Sequence, residues 1–144
     1  MLSSSGANIF THVGDGTSGA LIFGGNANIF TKVGGRSSDY TIAAMINGRA
    51  NIFTHIGDGT SVALMANSSA NIFTKVGDGL TVGLMQGEAN VMTHVGSGMT
   101  IGLAKAKANI ITKVGNGTLV AGLYSDANIV THISNELSNT FSLL

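Results

Sequence analysis

The sequence predicts an all-β repeat solenoid, of the β-helix or β-roll kind, with two short strands in each unit of about 19 to 20 residues. Three observations predict it. The segment Ala-Asn-Ile-Phe-Thr-His-Val-Gly at 7–14 recurs along the chain, with copies starting at Ala7, Ala27, Ala50, Ala70, Ala89, Ala108 and Ala127. Each copy is rich in β-branched residues, alternates with period two and is punctuated by Gly, Asn and Asp, which is strand and turn chemistry. No stretch carries a 3.6-residue apolar period long enough for a helix. An antiparallel array of β-hairpins is the alternative, because Asp-Gly between alternating segments is also a hairpin signal.

The elements follow in order. Residues 1–6 form a short polar tail, without the basic segment and apolar core of a secretory signal peptide. Residues 7–133 hold seven tandem repeats, read as one solenoid domain. Start-to-start spacings are 20, 23, 20, 19, 19 and 19; the long one reflects an insertion of about three residues near 36–39, which maps to a loop on one face. In each unit the first strand ends at a turn, most often Asp-Gly, as at Asp15-Gly16, Asp58-Gly59 and Asp78-Gly79. The second strand reads Thr-Val-Gly-Leu-Met at 81–85 and Thr-Ile-Gly-Leu-Ala at 100–104. Residues 134–144 are a degenerate end, where Ser134-Asn135-Glu136 replaces the turn. One such unit cannot bury a core alone, and stacking makes the core continuous.

Alternation divides each strand into two faces. Ile9, Thr11 and Val13 share one side of the first strand, and Asn8, Phe10 and His12 the other. The expectation is that the Ile/Thr/Val face closes on the Val82/Leu84 face as the core. The central position of the other face is apolar in every copy: Phe10, Phe30, Phe53, Phe73, Met92, Ile111 and Val130. At about 4.8 Å per rung this is a ridge roughly 30 Å long. Either a second layer of the same domain covers it, approached closely through Ala20, Ala43, Ala63, Gly83, Gly102 and Ala121, or it is a contact surface for a membrane or partner. On the second view, Phe53→Asp with Phe73→Asp weakens membrane association and leaves the fold intact.

Two further rows run the length of the repeats. Asn8, Asn28, Asn51, Asn71, Asn90, Asn109 and Asn128 are expected to stack as a structural amide ladder. His12, Lys32, His55, Lys75, His94, Lys113 and His132 alternate strictly. One unit per coil relieves Lys-on-Lys opposition between neighbouring strands; two units per coil would give separate His and Lys ladders. The side chains of this row are expected to be solvated.

Composition excludes several functions. The 144 residues include 21 Gly and no Pro, Cys or Trp. Charged residues make up 10%, against about 25% in ordinary domains, and the net charge is zero, so nothing marks a nucleic-acid partner. Without cysteine there is no disulfide, thiolate nucleophile or Cys-type zinc site, although secretion stays open. No apolar run approaches a membrane-spanning helix. An active site needs different groups converging on one spot, whereas this chain repeats the same groups every 20 residues, so no enzyme activity is expected. Calcium is weakly supported: one Asp per turn, replaced by Gly35, Ser97, Asn116 and Asn135, makes a poor oxygen cage, and Asp-Gly serves the turn itself. Successive His in a single-unit coil lie roughly 9.6 Å apart, too far for one ion. No cofactor or metal site is expected.

The string Ala-Asn-Ile-Phe-Thr-His-Val-Gly-Asp-Gly-Thr, followed by a Leu-Met-rich strand, resembles the glycine-rich repeats of multifunctional-autoprocessing RTX toxins, from Ala7 to about Ile133. The insertion after Gly34 and the altered turn at Ser134 depart from the pattern. The resemblance implies a non-catalytic module of a large secreted bacterial toxin that associates with the host membrane and helps translocate effector domains. It implies an extracellular location, with host membrane or neighbouring repeats as partners and the chain as part of a longer array. A pore-forming antiparallel β-barrel segment and an adhesin or self-assembly module are the alternatives.

Overall fold

Parallel pairing of each repeat on the next builds the molecule. The computed structural model describes residues 2–3, 6–134 and 139–143, with side chains over 6–134. The strands are β1 (Leu2–Ser3), β2 (Ala7–Val13), β3 (Ser18–Phe23), β4 (Ala27–Val33), β5 (Tyr40–Ile46), β6 (Ala50–Ile56), β7 (Thr60–Val76), β8 (Thr81–Val95), β9 (Thr100–Lys105), β10 (Ala108–Val114), β11 (Leu119–Tyr124), β12 (Ala127–Ile133) and β13 (Asn139–Leu143). The first strands of the repeats stack in the order β2-β4-β6-β7-β8-β10-β12. The second strands stack as β1-β3-β5-β7-β8-β9-β11-β13. β7 and β8 run through a corner and serve both layers, which we call the first and second sheets.

Register follows from repetition. Ala7 pairs with Ala27, Asn8 with Asn28, Phe10 with Phe30 and His12 with Lys32, and the same positions match through Asn109 on Asn128. Each coil therefore holds one unit, and His and Lys alternate rung by rung. The hairpin alternative fails here. All pairs among the described residues are parallel, and the Asp-Gly turns join strands that belong to opposite sheets. Near-identical units gain most when like sits on like, which parallel in-register stacking alone provides. The turns stack too: Gly57 has φ 139°, and a Cβ there would lie 2.7 Å from the Gly34 carbonyl carbon.

The faces are the reverse of the sequence expectation on both strands. The first sheet turns Asn, Phe and His or Lys inward, and Ile, Thr and Val outward. The second sheet turns Thr81, Gly83 and Met85 inward and leaves Leu84 exposed. The Phe row is accordingly core rather than an exposed ridge: Phe30, Phe53, Phe73, Met92 and Ile111 are fully buried. Only Phe10, on the outermost of these rungs, is exposed, at 37%, while Val130 packs partly buried against the cluster.

Two physical causes select this arrangement. Flat rings stack along the axis, with centroids 5.0, 5.0 and 4.9 Å apart from Phe10 to Phe73. Each large residue also faces a small one. Ala43, Ala63 and Ala121 are buried opposite the row, and a Cβ on Gly102 would lie 2.7 Å from Ile111 Cδ1. The covering layer is thus the second strand of the same repeat.

The ends join the solenoid. Leu2 and Ser3, in the segment read as a tail, pair with Ile22 and Phe23. β13 pairs with β11 through Leu119 on Asn139 to Leu123 on Leu143. The altered turn at Asn135 and Glu136 lies outside the described residues.

Candidate functional site

Three interior columns and two outer faces carry the chemistry. The first column is amide. Asn28 Nδ2 donates to Asn8 Oδ1 at 2.7 Å, Asn51 to Asn28 at 2.6 Å and Asn71 to Asn51 at 2.7 Å. Beyond this point the direction reverses, with Asn90 donating to Asn109 at 2.8 Å and Asn109 to Asn128 at 3.1 Å. At the reversal the Oδ1 atoms of Asn71 and Asn90 are buried without a hydrogen bond. The central column is the Phe row already described.

The third column corrects the expectation of a solvated His/Lys row. Lys32, His55, Lys75, His94 and Lys113 are all fully buried. The turns explain this. Because each strand ends where backbone carbonyls of the preceding rung point inward, the Lys stem runs through the interior and its ammonium finds them. Lys32, Lys75 and Lys113 donate through Nζ to the carbonyls of Gly14, Gly57 and Gly96. Lys75 also reaches Asp78 O at 3.1 Å, and Lys113 reaches Asn116 O at 3.2 Å.

The histidines use the opposite sheet. His12 bonds Ser18, His55 Nδ1 bonds Ser61 Oγ at 2.5 Å, and His94 Nδ1 bonds Thr100 Oγ1 at 2.7 Å. His94 Nε2 lies 2.9 Å from Gly77 O, so a neutral ring with its proton on Nε2 satisfies both partners. Burial pushes His55 down to about 4, helped by Lys75, and burial also pushes His94 down to about 4. Burial lowers Lys75 to about 8 and lowers Lys113 as well.

The aspartates serve the turns. Asp58 Oδ1 accepts from Asp78 N at 2.9 Å, and Asp78 Oδ1 from Ser97 N at 2.7 Å. In the insertion, Asp39 Oδ2 accepts from Arg36 N and Gly16 N at 2.8 Å each, and these bonds hold its carboxyl below the usual range. Among the described residues no three His, Asp or Glu side chains gather to hold a metal.

The outer faces were missed from the sequence. On the first sheet the outward positions from Ala7 to Ile133 are Ala, Ile, Val or Thr, and Val76, Val95 and Ile110 are exposed. On the second sheet Leu21, Ile42, Leu64, Leu84 and Leu103 are exposed. A groove of about 360 Å³ is lined by Leu64, Leu84 and Leu103 and bordered by Gln86, Lys105 and Tyr124. A second, of about 500 Å³, continues along the corner past Glu88 and Lys107. Lys105 Nζ sits 5.3 Å from the Tyr124 ring centroid. The available signal was the unbroken run of β-branched outward residues with no charge among them. Such faces can bind apolar surfaces.

The RtxA repeat family model matches the chain seven times, over residues 6–18, 24–38, 48–63, 70–83, 85–102, 104–119 and 127–138. No curated protein and no solved structure matches it.

Proposed function

This chain belongs to the RtxA repeat family, and on that premise we propose that it is a non-catalytic, rigid array unit that holds a large secreted toxin against the host membrane while effector domains are carried across. The toxin-type repeat and the extracellular setting come with the family. The membrane role rests on one observation: the outer face of the second sheet is apolar, exposed and edged by interfacial residues. Leu64, Leu84 and Leu103 form its centre, and Tyr124 and Lys105 stand at its border. Tyr and Lys at the edge of an apolar patch suit the boundary between acyl chains and headgroups. The fold contributes stiffness, since interior columns of amides, rings and buried lysines lock each rung to the next.

Vesicle flotation tests this reading. The chain should float with phosphatidylcholine/phosphatidylserine vesicles, and Leu64→Asp with Leu84→Asp should abolish flotation while the β circular-dichroism signal persists. Flotation unchanged by both substitutions would remove the second sheet as the lipid face.

A further inference from the structure

The outer face of the first sheet differs from the lipid-facing candidate in ways that select another partner. Beyond an edge column of Ala, its outward side chains are Ile, Thr and Val in each of the seven first strands, with Val91, Ile56 and Ile133 as the exchanges, so these three columns stand at nearly equal height. No charge, Gly, Leu or aromatic residue interrupts it. Thr forms one column of every rung, flanked by Ile or Val on both sides, as at Ile72, Thr74 and Val76. A lipid surface gains from long, deformable side chains and has no use for a hydroxyl column at the centre. Another flat β-branched sheet has use for both.

We infer that this face pairs with the same face of a second copy of the chain. A two-fold axis lying in the interface along the Thr column sets each Thr against its own counterpart and each Ile column against a Val column. The Thr hydroxyls then face one another along the centre, and the flanking β-branched columns pack as two sheets do at about 10 Å. Size supports a second copy. Seven strands at about 4.8 Å and three outward columns about 6.8 Å apart cover roughly 600 Å² of each partner, side chains included. The sum, about 1,200 Å², is the lower bound of specific stable interfaces. The contact grows with every added rung, so a longer array would pair more tightly. This inference is independent of the lipid reading, which uses the opposite sheet.

Cysteine trapping tests it, because the chain has no cysteine of its own. Thr74→Cys lies at the middle rung and opposes itself across the axis. With a short bifunctional methanethiosulfonate reagent, which spans the roughly 8 Å left between opposed Cα atoms of sheets packed about 10 Å apart, it should give a covalent dimer quickly, and Leu84→Cys on the other sheet should not. Sedimentation of the wild-type chain should show a monomer–dimer equilibrium in the micromolar range, and Thr54→Lys with Thr74→Lys should leave only monomer with an unchanged β signal. A wild-type chain that stays monomeric at about 200 μM, well above that range, overturns the inference. So does a dimer that survives the two lysines or is trapped through position 84. Loss of vesicle flotation on Thr54→Lys with Thr74→Lys, in a chain that never dimerises, would assign the face to lipid instead. Should the double lysine variant fail to fold, the trapping rates at positions 74 and 84 still decide the matter.

Discussion

The inner and outer faces of the first sheet are made by alternate residues of the same strands, and the outer one is the more uniformly apolar by type. Outward stand Ile, Thr and Val; inward stand Asn, Phe and a His or Lys. Hydropathy alone would bury the wrong side. What decides is fit. Rings about 5 Å apart stack along the axis, amides bond rung to rung, and each Phe meets an Ala or Gly from the opposite sheet. The lesson is that in a stacked repeat a residue is selected for what it does against its own copy above and below. Ile and Val do that on either face, whereas Asn and Phe do it best where water is excluded.

The largest expected effect breaks the inner face. Phe53→Asp with Phe73→Asp places two carboxylates in the dry column and should abolish the fold, read as loss of the β circular-dichroism signal. Phe53→Ala alone should cost about 3–5 kcal/mol in denaturant unfolding, the usual range for a buried ring. An intact fold in the double variant would mean that the row is not the core. The amide column comes next. Asn51 is bonded to Asn28, Asn71 and Ser68, so Asn51→Ala leaves buried partners unmatched and should cost about 1–3 kcal/mol.

Acid tests the third column. His55 and His94 protonate near 6.5 when unfolded but only near 4 when folded. Between those values the unfolded chain takes up more protons, so stability falls as pH drops through that window and the histidines contribute no slope above it. Protonated His55 would lie between Lys32 and Lys75 in the stack, and His94 between Lys75 and Lys113. Lys75, lowered to about 8 from 10.5, works in the same direction at the alkaline end, where stability rises from about pH 8 to 10.5. Melting temperature against pH should therefore climb from pH 4 to 6.5, and His55→Gln with His94→Gln should flatten that limb.

The sequence carried much of this and withheld the rest for physical reasons. Six copies of Ala-Asn-Ile and one of Ala-Asn-Val announce the solenoid, its strands and its turns, and the parallel register follows once like stacks on like. Which face is inside was not legible from alternation, because period two separates the faces without ranking them. The clue was there in Ala43, Ala63, Gly83 and Gly102: small residues repeated at one position of the second strand imply large partners facing them, and the Phe, Met92 and Ile111 row supplies them. The buried lysines were less accessible. Their partners are the carbonyls of Gly14, Gly57 and Gly96, one rung away, which no local pattern displays. The exposed Leu and β-branched faces are hidden by the same reversal, since alternation with apolar content alone places them in the core.

The smallest expected effect sharpens the comparison most directly, because it uses neighbours in one strand. Ile72 and Phe73 are both apolar, yet Phe73 is fully buried and Ile72 is 38% exposed. Ile72→Thr keeps the β-branch and the strand preference and shortens a side chain on the water-facing side of the sheet. It should change stability by no more than about 0.5 kcal/mol, as surface substitutions do. Phe73→Thr, one residue on, empties a column position stacked between Phe53 and Met92 and should cost several times as much. Unfolding both variants in denaturant at low protein concentration measures the ratio. Equal costs there would mean that the two faces are not distinct. A cost at Ile72 that appears only as concentration is raised would mean that the outer face is covered by a second chain, since stability gained by association depends on concentration whereas stability gained within the chain does not.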